Sequence, residues 1–194
     1  GRGNPVRAPR TGGTTAQRRI VISAVRKPAP IWSPPKDEEA RDLENSGRWV
    51  EVATPVNGGD DLVYGGNYYG VSGANDDPAR YRENELLIAR CIYRMCAFGD
   101  VPYILCGDFN VTPSKSEVIR AAVAEGVVVD LGVAHAPDPD APENTFNQAA
   151  HLEPGMGGKG ISRIDGVLAN PTAAAAVLGV KYRWDLAAID HVPI

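Results

Sequence analysis

The most informative stretch of the chain is residues 101–110, which read VPYILCGDFN. Residues 101–106 form an apolar run that is too short for a helix, and such a run is typical of a strand buried in the middle of a sheet. Asp108 and Asn110 follow it two positions apart, so on extended backbone both side chains face the same side. Because strand ends often hold catalytic groups on a rigid base, we expect these two side chains to face a cleft.

Asp108 and Asn110 also suit one kind of chemistry. A carboxylate can orient or deprotonate a water molecule, and a side-chain amide can donate to a phosphate oxygen. Taken alone, GDFN is equally a plain turn, because Gly, Asp and Asn are turn formers. The choice between a site and a turn therefore depends on the rest of the chain.

Helix and strand patterns alternate around this stretch. The clearest helix signal is the cap and first-turn proline at 77–78, followed by apolar residues at helical spacing over 87–95. Two further helices are predicted after a capping box at 114–117 and after the Asn-Pro pair at 170–171. This mixture predicts an α/β (α+β) domain with a mixed sheet. Besides 101–106, strands are predicted over 14–25, 48–54, 62–69, 127–131 and 161–168, with a hairpin turn at 57–61.

The composition excludes several classes of protein. At 194 residues, with 43% hydrophobic and 23% charged residues, the chain is neither wholly disordered nor collagen-like. It contains no window of about 18 consecutive apolar residues, so no membrane span is predicted. Three cysteines do not make a disulfide scaffold, and the first thirty residues lack the apolar core of a signal peptide. We therefore expect an intracellular monomer of the nucleus or cytoplasm, not a secreted protein.

The charge is unevenly distributed along the chain. Residues 1–27 contain seven basic residues and no acidic one, whereas the remainder carries 13 basic and 24 acidic residues, a net charge of −11. The basic segment could contact a polyanion such as a nucleic acid, or it could be a solvated end. The segment that follows, 27–47, is rich in proline and then acidic, and it is predicted to be a loop with a short exposed helix over 37–47.

Two more segments carry acidic residues at predicted strand ends. Arg163 and Asp165 interrupt an apolar run, and an aspartate there costs stability unless it has a partner or lies on an edge strand facing solvent. Asp190 and His191 form the second segment. Aspartate is a hard oxygen ligand suited to Mg²⁺, and histidine is the side chain most easily tuned near neutral pH, although a surface turn explains the pair equally well.

In this order, GDFN at 107–110, Arg-Ile-Asp at 163–165 and Asp-His-Val-Pro-Ile at 190–194 resemble the endonuclease/exonuclease/phosphatase family. This family includes the exonuclease III-type apurinic/apyrimidinic endonucleases and the endonucleases of non-LTR retrotransposons. The segment NYYG at 67–70 and the Gly-Gly pair at 12–13 look like further segments of the same family. The resemblance covers nearly the whole chain.

The resemblance implies one DNase I-like domain over 1–194, a four-layer α/β sandwich that is incomplete at both ends. It also implies hydrolysis of a phosphoester with Mg²⁺, or Mn²⁺ in its place, and a nucleic acid substrate. Asp108 resembles the group that activates the attacking water, Asn110 the amide that holds the phosphate, and Tyr69 a contact to the phosphate or leaving group.

The remaining roles implied by the resemblance fall near the end of the chain. His191 resembles the residue that contacts the scissile phosphate, Asp165 the carboxylate that orients His191, and Asp190 a metal ligand. No residue matches the family's early Asn or its principal metal-binding Glu.

Other functions stay open at this point. The chain could be a catalytically inactive relic of such a domain, or a phosphatase acting on a lipid or sugar phosphate. A more distant alternative is an interaction module that uses the Pro-rich segment 27–36.

Overall fold

The structure is a computed structural model, and its central feature is a five-stranded mixed sheet with the strand order β1-β2-β3-β5-β4. The predicted strand over 14–25 and the predicted residues Asp190 and His191 lie outside the part of the chain that the structure describes. Most of the predicted hairpin turn lies outside it as well. The described residues are 31–55, 61–140, 142, 144–146 and 162–182.

The sheet combines a hairpin with a parallel pair. β1 and β2 are antiparallel, β2 and β3 are parallel, and β5 lies antiparallel to both β3 and β4. The predicted hairpin is thus confirmed, since Pro55 pairs with Leu62 at its closed end. The strands are β1 (Trp49–Pro55), β2 (Leu62–Tyr69), β3 (Tyr103–Asp108), β4 (Val129–Asp130) and β5 (Asp165–Ala169).

Five helices accompany the sheet in the described residues. The first three pack on one sheet face, where the main core joins Leu43, Ile88 and Ile119 to strand residues such as Tyr68 and Leu105. The last helix packs against a smaller cluster with Ala169. The helices are α1 (Glu38–Asn45), α2 (Pro78–Cys96), α3 (Glu117–Ala124), α4 (Leu131–Ala134) and α5 (Pro171–Ala176).

Helix α2 begins where the sequence predicts it. The Asp77 side chain accepts from the backbone N–H of Ala79 at 2.8 Å and of Arg80 at 3.2 Å, and Pro78 occupies the first turn. Its predicted apolar stripe is buried in the main core. The helix ends at Cys96, three residues before Gly99, which has a φ of +61°. No helix among the described residues is long and apolar enough to cross a membrane.

The predicted capping box of α3 is wrong. Ser116, not Ser114, caps the helix, and its Oγ accepts from the Ile119 N–H at 3.1 Å. A carboxylate from another helix supplies the second acceptor, because Glu85 of α2 accepts from the Val118 N–H at 2.9 Å. A carboxylate from another helix thus pairs a first-turn N–H of α3 that the capping serine alone leaves open.

Two strand boundaries and the exposure of one helix also differ from prediction. The strand predicted over 127–131 is only two residues long, because Asp130 turns the chain by capping α4. The strand predicted over 161–168 begins at Asp165, which therefore opens an inner strand and does not lie on an edge strand. Within 27–47, α1 is not fully exposed, since Leu43 is buried against α2.

Candidate active site

Three of the predicted site residues form a row across the sheet. Tyr69 ends β2, Asp108 ends β3, and Asp165 begins β5, so all three lie at one edge of the sheet. In the strand register Tyr69 is the partner of Asp108, and Asp108 is the partner of Asp165. Register partners point to the same sheet face. We call these three residues the strand-end row.

Gly107 allows the backbones of β2 and β3 to approach each other closely beside the row. Gly107 has a φ of +154°, and a Cβ there would overlap the Tyr68 carbonyl oxygen. Only glycine therefore fits between β2 and Asp108 without distortion. On the other side of Tyr69, the Gly70 N–H donates to the Asp108 carbonyl at 2.6 Å. The backbones of β2 and β3 are thus held together on both sides of Tyr69.

Asn110 is tied directly to the Asp108 carboxylate. Its backbone N–H donates to Asp108 Oδ1 at 2.9 Å, and its side-chain Nδ2 donates to Oδ2 at 3.1 Å. Nδ2 also donates to the Gly70 carbonyl at 3.2 Å. Asn110 has a φ of +50°, a left-handed conformation that asparagine tolerates better than most residues. In this arrangement Asn110 orients Asp108, and a phosphate contact by Nδ2 would have to replace one of these bonds.

Tyr69 and Arg48 bring a phenol and a cation to the edge of the row. The Tyr69 side chain is 39% exposed, and its hydroxyl lies 3.4 Å from Ser72 Oγ. The Arg48 guanidinium lies 5.8 Å from the Tyr69 ring centroid and donates to the Gly70 carbonyl at 2.6 Å. A positive charge therefore lies beside Tyr69, on the β1 side of the row.

Asp165 is anchored through its backbone by a buried threonine. The Asp165 N–H donates to Thr145 Oγ1 at 3.0 Å, and Thr145 is fully buried. The Thr145 N–H in turn donates to the Ser162 carbonyl at 3.0 Å. Thr145 thereby fixes the point at which β5 begins. The sequence places Thr145 in the segment Asn-Thr-Phe, but no pattern there predicts this contact.

Arg163, in the same motif as Asp165, turns away from the row into a buried ion pair. Both of its terminal nitrogens contact the Asp130 carboxylate, Nη1 at 2.8 Å and Nη2 at shorter range. Burial alone would lower the pKa of Arg163, but the hydrogen bond and the charge of Asp130 raise it. Arg163 is thus a structural cation that joins β5 to the start of α4.

Asn84 of α2 is the functional candidate that the sequence does not reveal directly. Its Oδ1 accepts from the Tyr68 hydroxyl at 2.7 Å and from the Val71 N–H at 2.8 Å, while its Nδ2 donates to the Phe109 carbonyl at 2.8 Å. Burial raises the pKa of Tyr68 above its usual range, so its hydroxyl stays a neutral donor. The sequence feature that could have indicated Asn84 is a polar residue on the apolar face of the helix, which comprises residues 84, 87, 88, 91, 92 and 95.

Cys106 lies on the same strand as Asp108, two residues before it. Burial raises the pKa of its thiol to about 11, so near neutral pH the thiol is protonated. A nucleophilic role for Cys106 is therefore not supported.

Three solved structures resemble the chain over most of its length. An AP endonuclease from Archaeoglobus fulgidus matches with a TM-score of 0.55 at 21% identity, over 86% of this chain and 69% of that one. The endonuclease domain of TRAS1, a telomere-specific non-LTR retrotransposon, matches with a TM-score of 0.55 at 17% identity, over 84% and 66%. The 3′ phosphatase NExo from Neisseria, bound to a product DNA hairpin, matches with a TM-score of 0.51 at 22% identity, over 73% and 62%.

The chain has the DNase I-like fold. The resemblance of the motifs to the endonuclease/exonuclease/phosphatase proteins is confirmed at the level of structure. No protein-family model and no curated protein sequence matches the chain. It spans 62% to 69% of the lengths of the three structures above, and 40% to 43% of the lengths of longer ones. At these identities the likeness establishes the fold and not the activity.

The predicted metal ligand of this DNase I-like fold, Asp190, is not among the residues that the structure describes. Those residues contain no group of three or more His, Cys, Asp or Glu side chains that could hold a metal ion. The carboxylates of Asp108 and Asp165 are nevertheless hard oxygen donors, and Mg²⁺ usually takes only one or two carboxylates together with water. The donor chemistry therefore fits Mg²⁺, while Asp190 and His191 lie outside the described residues.

Proposed function

We propose that this chain carries the catalytic residues of a Mg²⁺-dependent phosphoesterase that hydrolyses phosphodiester bonds, with DNA as its substrate. The observation that carries the proposal is the strand-end row, with Asn110 tied to its middle carboxylate. Two carboxylates, a phenol and a flanking arginine at one sheet edge supply the groups needed to position water and to contact a phosphate.

In the proposed reaction the oxygen of a water molecule attacks phosphorus, and the bond from phosphorus to the leaving oxygen breaks. Asp108 orients the water and accepts its proton, and the leaving oxygen takes a proton from the solvent. Asn110 keeps the Asp108 carboxylate in one orientation through its two hydrogen bonds. A bound Mg²⁺, held by Asp190 together with carboxylate oxygens of the row, would offset the negative charge of the phosphate.

The other assignments follow the sequence resemblance. Tyr69 would contact the phosphate or the leaving group, and its exposed edge makes that contact accessible. His191 would contact the scissile phosphate, and Asp165 would orient His191. DNA is favoured over a lipid or sugar phosphate by the seven basic residues of 1–27, because phosphate contacts to nucleic acid come from Arg and Lys.

A nicking assay on supercoiled plasmid tests this function. We expect hydrolysis in Mg²⁺ that stops with a chelator and falls by about 10²- to 10⁴-fold in Asp108→Ala. Glu125→Gln removes one exposed carboxylate elsewhere and should keep wild-type activity. A chain that neither nicks DNA nor gains thermal stability from Mg²⁺ would be a catalytic relic, and release of phosphate from small monoesters without nicking would indicate a phosphatase.

A further inference from the structure

The structure gives the buried Asn84 a position that simple core packing does not require. Phe109 lies between Asp108 and Asn110, and its carbonyl accepts from the Asn84 amide. Tyr68 and Val71 flank the strand end that carries Tyr69 and Gly70, and both donate to the Asn84 oxygen. One side chain thus joins the two chain segments that carry Tyr69 and Asp108.

The third segment of the row is joined to the same point. The Phe109 N–H donates to the Ile164 carbonyl at 2.7 Å, and Ile164 directly precedes Asp165. The Phe109 residue is therefore held by β5 through its N–H and by Asn84 through its carbonyl. All five polar atoms of the Asn84 cluster, defined as Asn84 with the groups it bonds in Tyr68, Val71 and Phe109, are paired within the protein.

We propose that Asn84 is a positioning residue for the candidate active site, which sets the distance between the Tyr69 strand end and the Asp108–Asn110 segment. The proposal rests on the proposed function. Its physical basis is that catalytic groups lose rate steeply when they are misplaced, so a bond that fixes two strand ends acts on turnover more than on binding.

The substitution Asn84→Asp separates the two halves of this contact. A carboxylate only accepts, so it keeps the bonds from Tyr68 and Val71 and loses the bond to the Phe109 carbonyl. A protonated carboxyl group can donate, so acid restores the lost bond. Burial raises the pKa of such a carboxyl, and the variant is therefore compared at about pH 9 and about pH 6.

Other titratable groups surround this position and are common to every variant. The charged or titratable groups that act electrostatically on the Tyr68 hydroxyl are Cys91, Arg48, Asp108 and Glu83, and Glu85 follows Asn84 on the helix. Their titration affects wild type and variants alike. The ratio of variant to wild-type kcat at each pH therefore isolates the change at position 84.

Tyr68→Phe is the matched control. It removes the hydroxyl donor but keeps the ring in the core, and the Asn84 oxygen keeps the Val71 N–H as a partner. It thus weakens the same buried cluster without touching the bond to Phe109. If Asn84→Asp does not fold, Asn84→Ser replaces it, because a short hydroxyl cannot bridge both segments.

At about pH 9 we expect Asn84→Asp to lower kcat by about tenfold or more while KM stays within about threefold. At about pH 6 its kcat should return toward wild type, and Tyr68→Phe should stay within about threefold at both pH values. Equal losses of kcat in the two variants, or no loss in Asn84→Asp at alkaline pH, would overturn the positioning role.

Amide hydrogen exchange gives a readout that needs no activity. At alkaline pH, Asn84→Asp should speed exchange in residues 107–111 by about tenfold relative to wild type, and Tyr68→Phe should not. Unchanged exchange in Asn84→Asp overturns the positioning role even in an active enzyme. If Asn84→Asp exchanges faster than wild type as expected, but the wild-type chain hydrolyses no phosphoester, only the proposed function is overturned.

Discussion

Helix α2 carries two buried polar clusters of opposite character, one near each end. The Asn84 cluster near its start is neutral and bonds mainly to backbone groups beside the strand-end row. Near its end, the Arg94 guanidinium donates to both oxygens of Glu51 at 2.9–3.2 Å, and Glu51 also accepts from the Tyr103 hydroxyl at 2.6 Å. We call Arg94, Glu51 and Tyr103 the Arg94 cluster.

The two clusters lie at opposite ends of β3, since Tyr103 begins the strand and Asp108 ends it. Burial alone would lower the pKa of Arg94, but the hydrogen bond and charge of Glu51 raise it, so the guanidinium stays charged. A buried ion pair is costly to break, because the remaining charge is left without compensation. The comparison suggests that the Arg94 cluster serves stability, whereas the Asn84 cluster serves geometry at the site.

The largest effect is expected from breaking the Arg94 cluster. Arg94→Met removes the guanidinium and leaves the buried Glu51 carboxylate with only the Tyr103 hydroxyl from this cluster. We expect the free energy of unfolding to fall by about 3–5 kcal/mol, measured by urea denaturation. KM of the molecules that remain folded should not change, because the row lies at the other end of β3.

An exposed ion pair provides the control for this substitution. Lys36 contacts Glu44 at 2.6 Å on the surface, and Lys36→Met should lower the free energy of unfolding by no more than about 1 kcal/mol. If Arg94→Met cost no more than Lys36→Met, the Arg94 cluster would not be a stabilising element. If Arg94→Met lowered kcat without lowering the free energy of unfolding, the Arg94 cluster would act on the site and not on stability.

An intermediate effect is expected at Thr145, which holds the start of β5 beside the strand-end row. Thr145→Val keeps the shape but removes the oxygen that accepts from the Asp165 N–H. The free energy of unfolding should fall by about 1–3 kcal/mol, measured by urea denaturation, and hydrolysis should fall with it because Asp165 begins β5 at this point.

Thr145→Ser keeps the hydroxyl and serves as the control. It should retain most of the hydrolytic activity, even though the missing methyl group costs some packing. Equal activity of the valine and serine variants would mean that the bond to Asp165 does not hold the row.

The sequence predicts the residues of the row better than it predicts what holds them. Asp108 and Asp165 could be picked out because acidic residues follow or interrupt apolar runs, and those patterns are local. The register that makes them partners is a property of the whole sheet, since β5 lies about 60 residues beyond β3 in the chain. Local patterns therefore predicted the elements, and their pairing required the fold.

Asn84 and Ser116 show where local patterns fail. Asn84 shares a face with the apolar stripe of α2, and a polar residue there is explained only by the groups that surround it. The cap of α3 is Ser116 and not Ser114, and Glu85 of another helix pairs a second N–H of the first turn. In both cases the partner lies far along the chain, so neither spacing nor propensity could indicate it.

The smallest effect is expected at the start of α2. Backbone hydrogen bonds from Arg80 and Ala79 lower the pKa of the Asp77 carboxyl below its value in an unfolded chain. A lowered pKa in the folded state means that the charged cap stabilises above about pH 4, and that this contribution is lost as the pH falls through the folded value. Asp77→Asn keeps a capping side chain without a titrating group, so the difference in Tm between wild type and this variant should be constant above about pH 5 and shrink as the pH falls from there to about 2. Asp77→Ala, which lacks any cap, should melt below Asp77→Asn at every pH. A difference between wild type and Asp77→Asn that stays constant down to the lowest pH would show that the charge of Asp77 does not contribute to the start of α2, and that only its oxygen does.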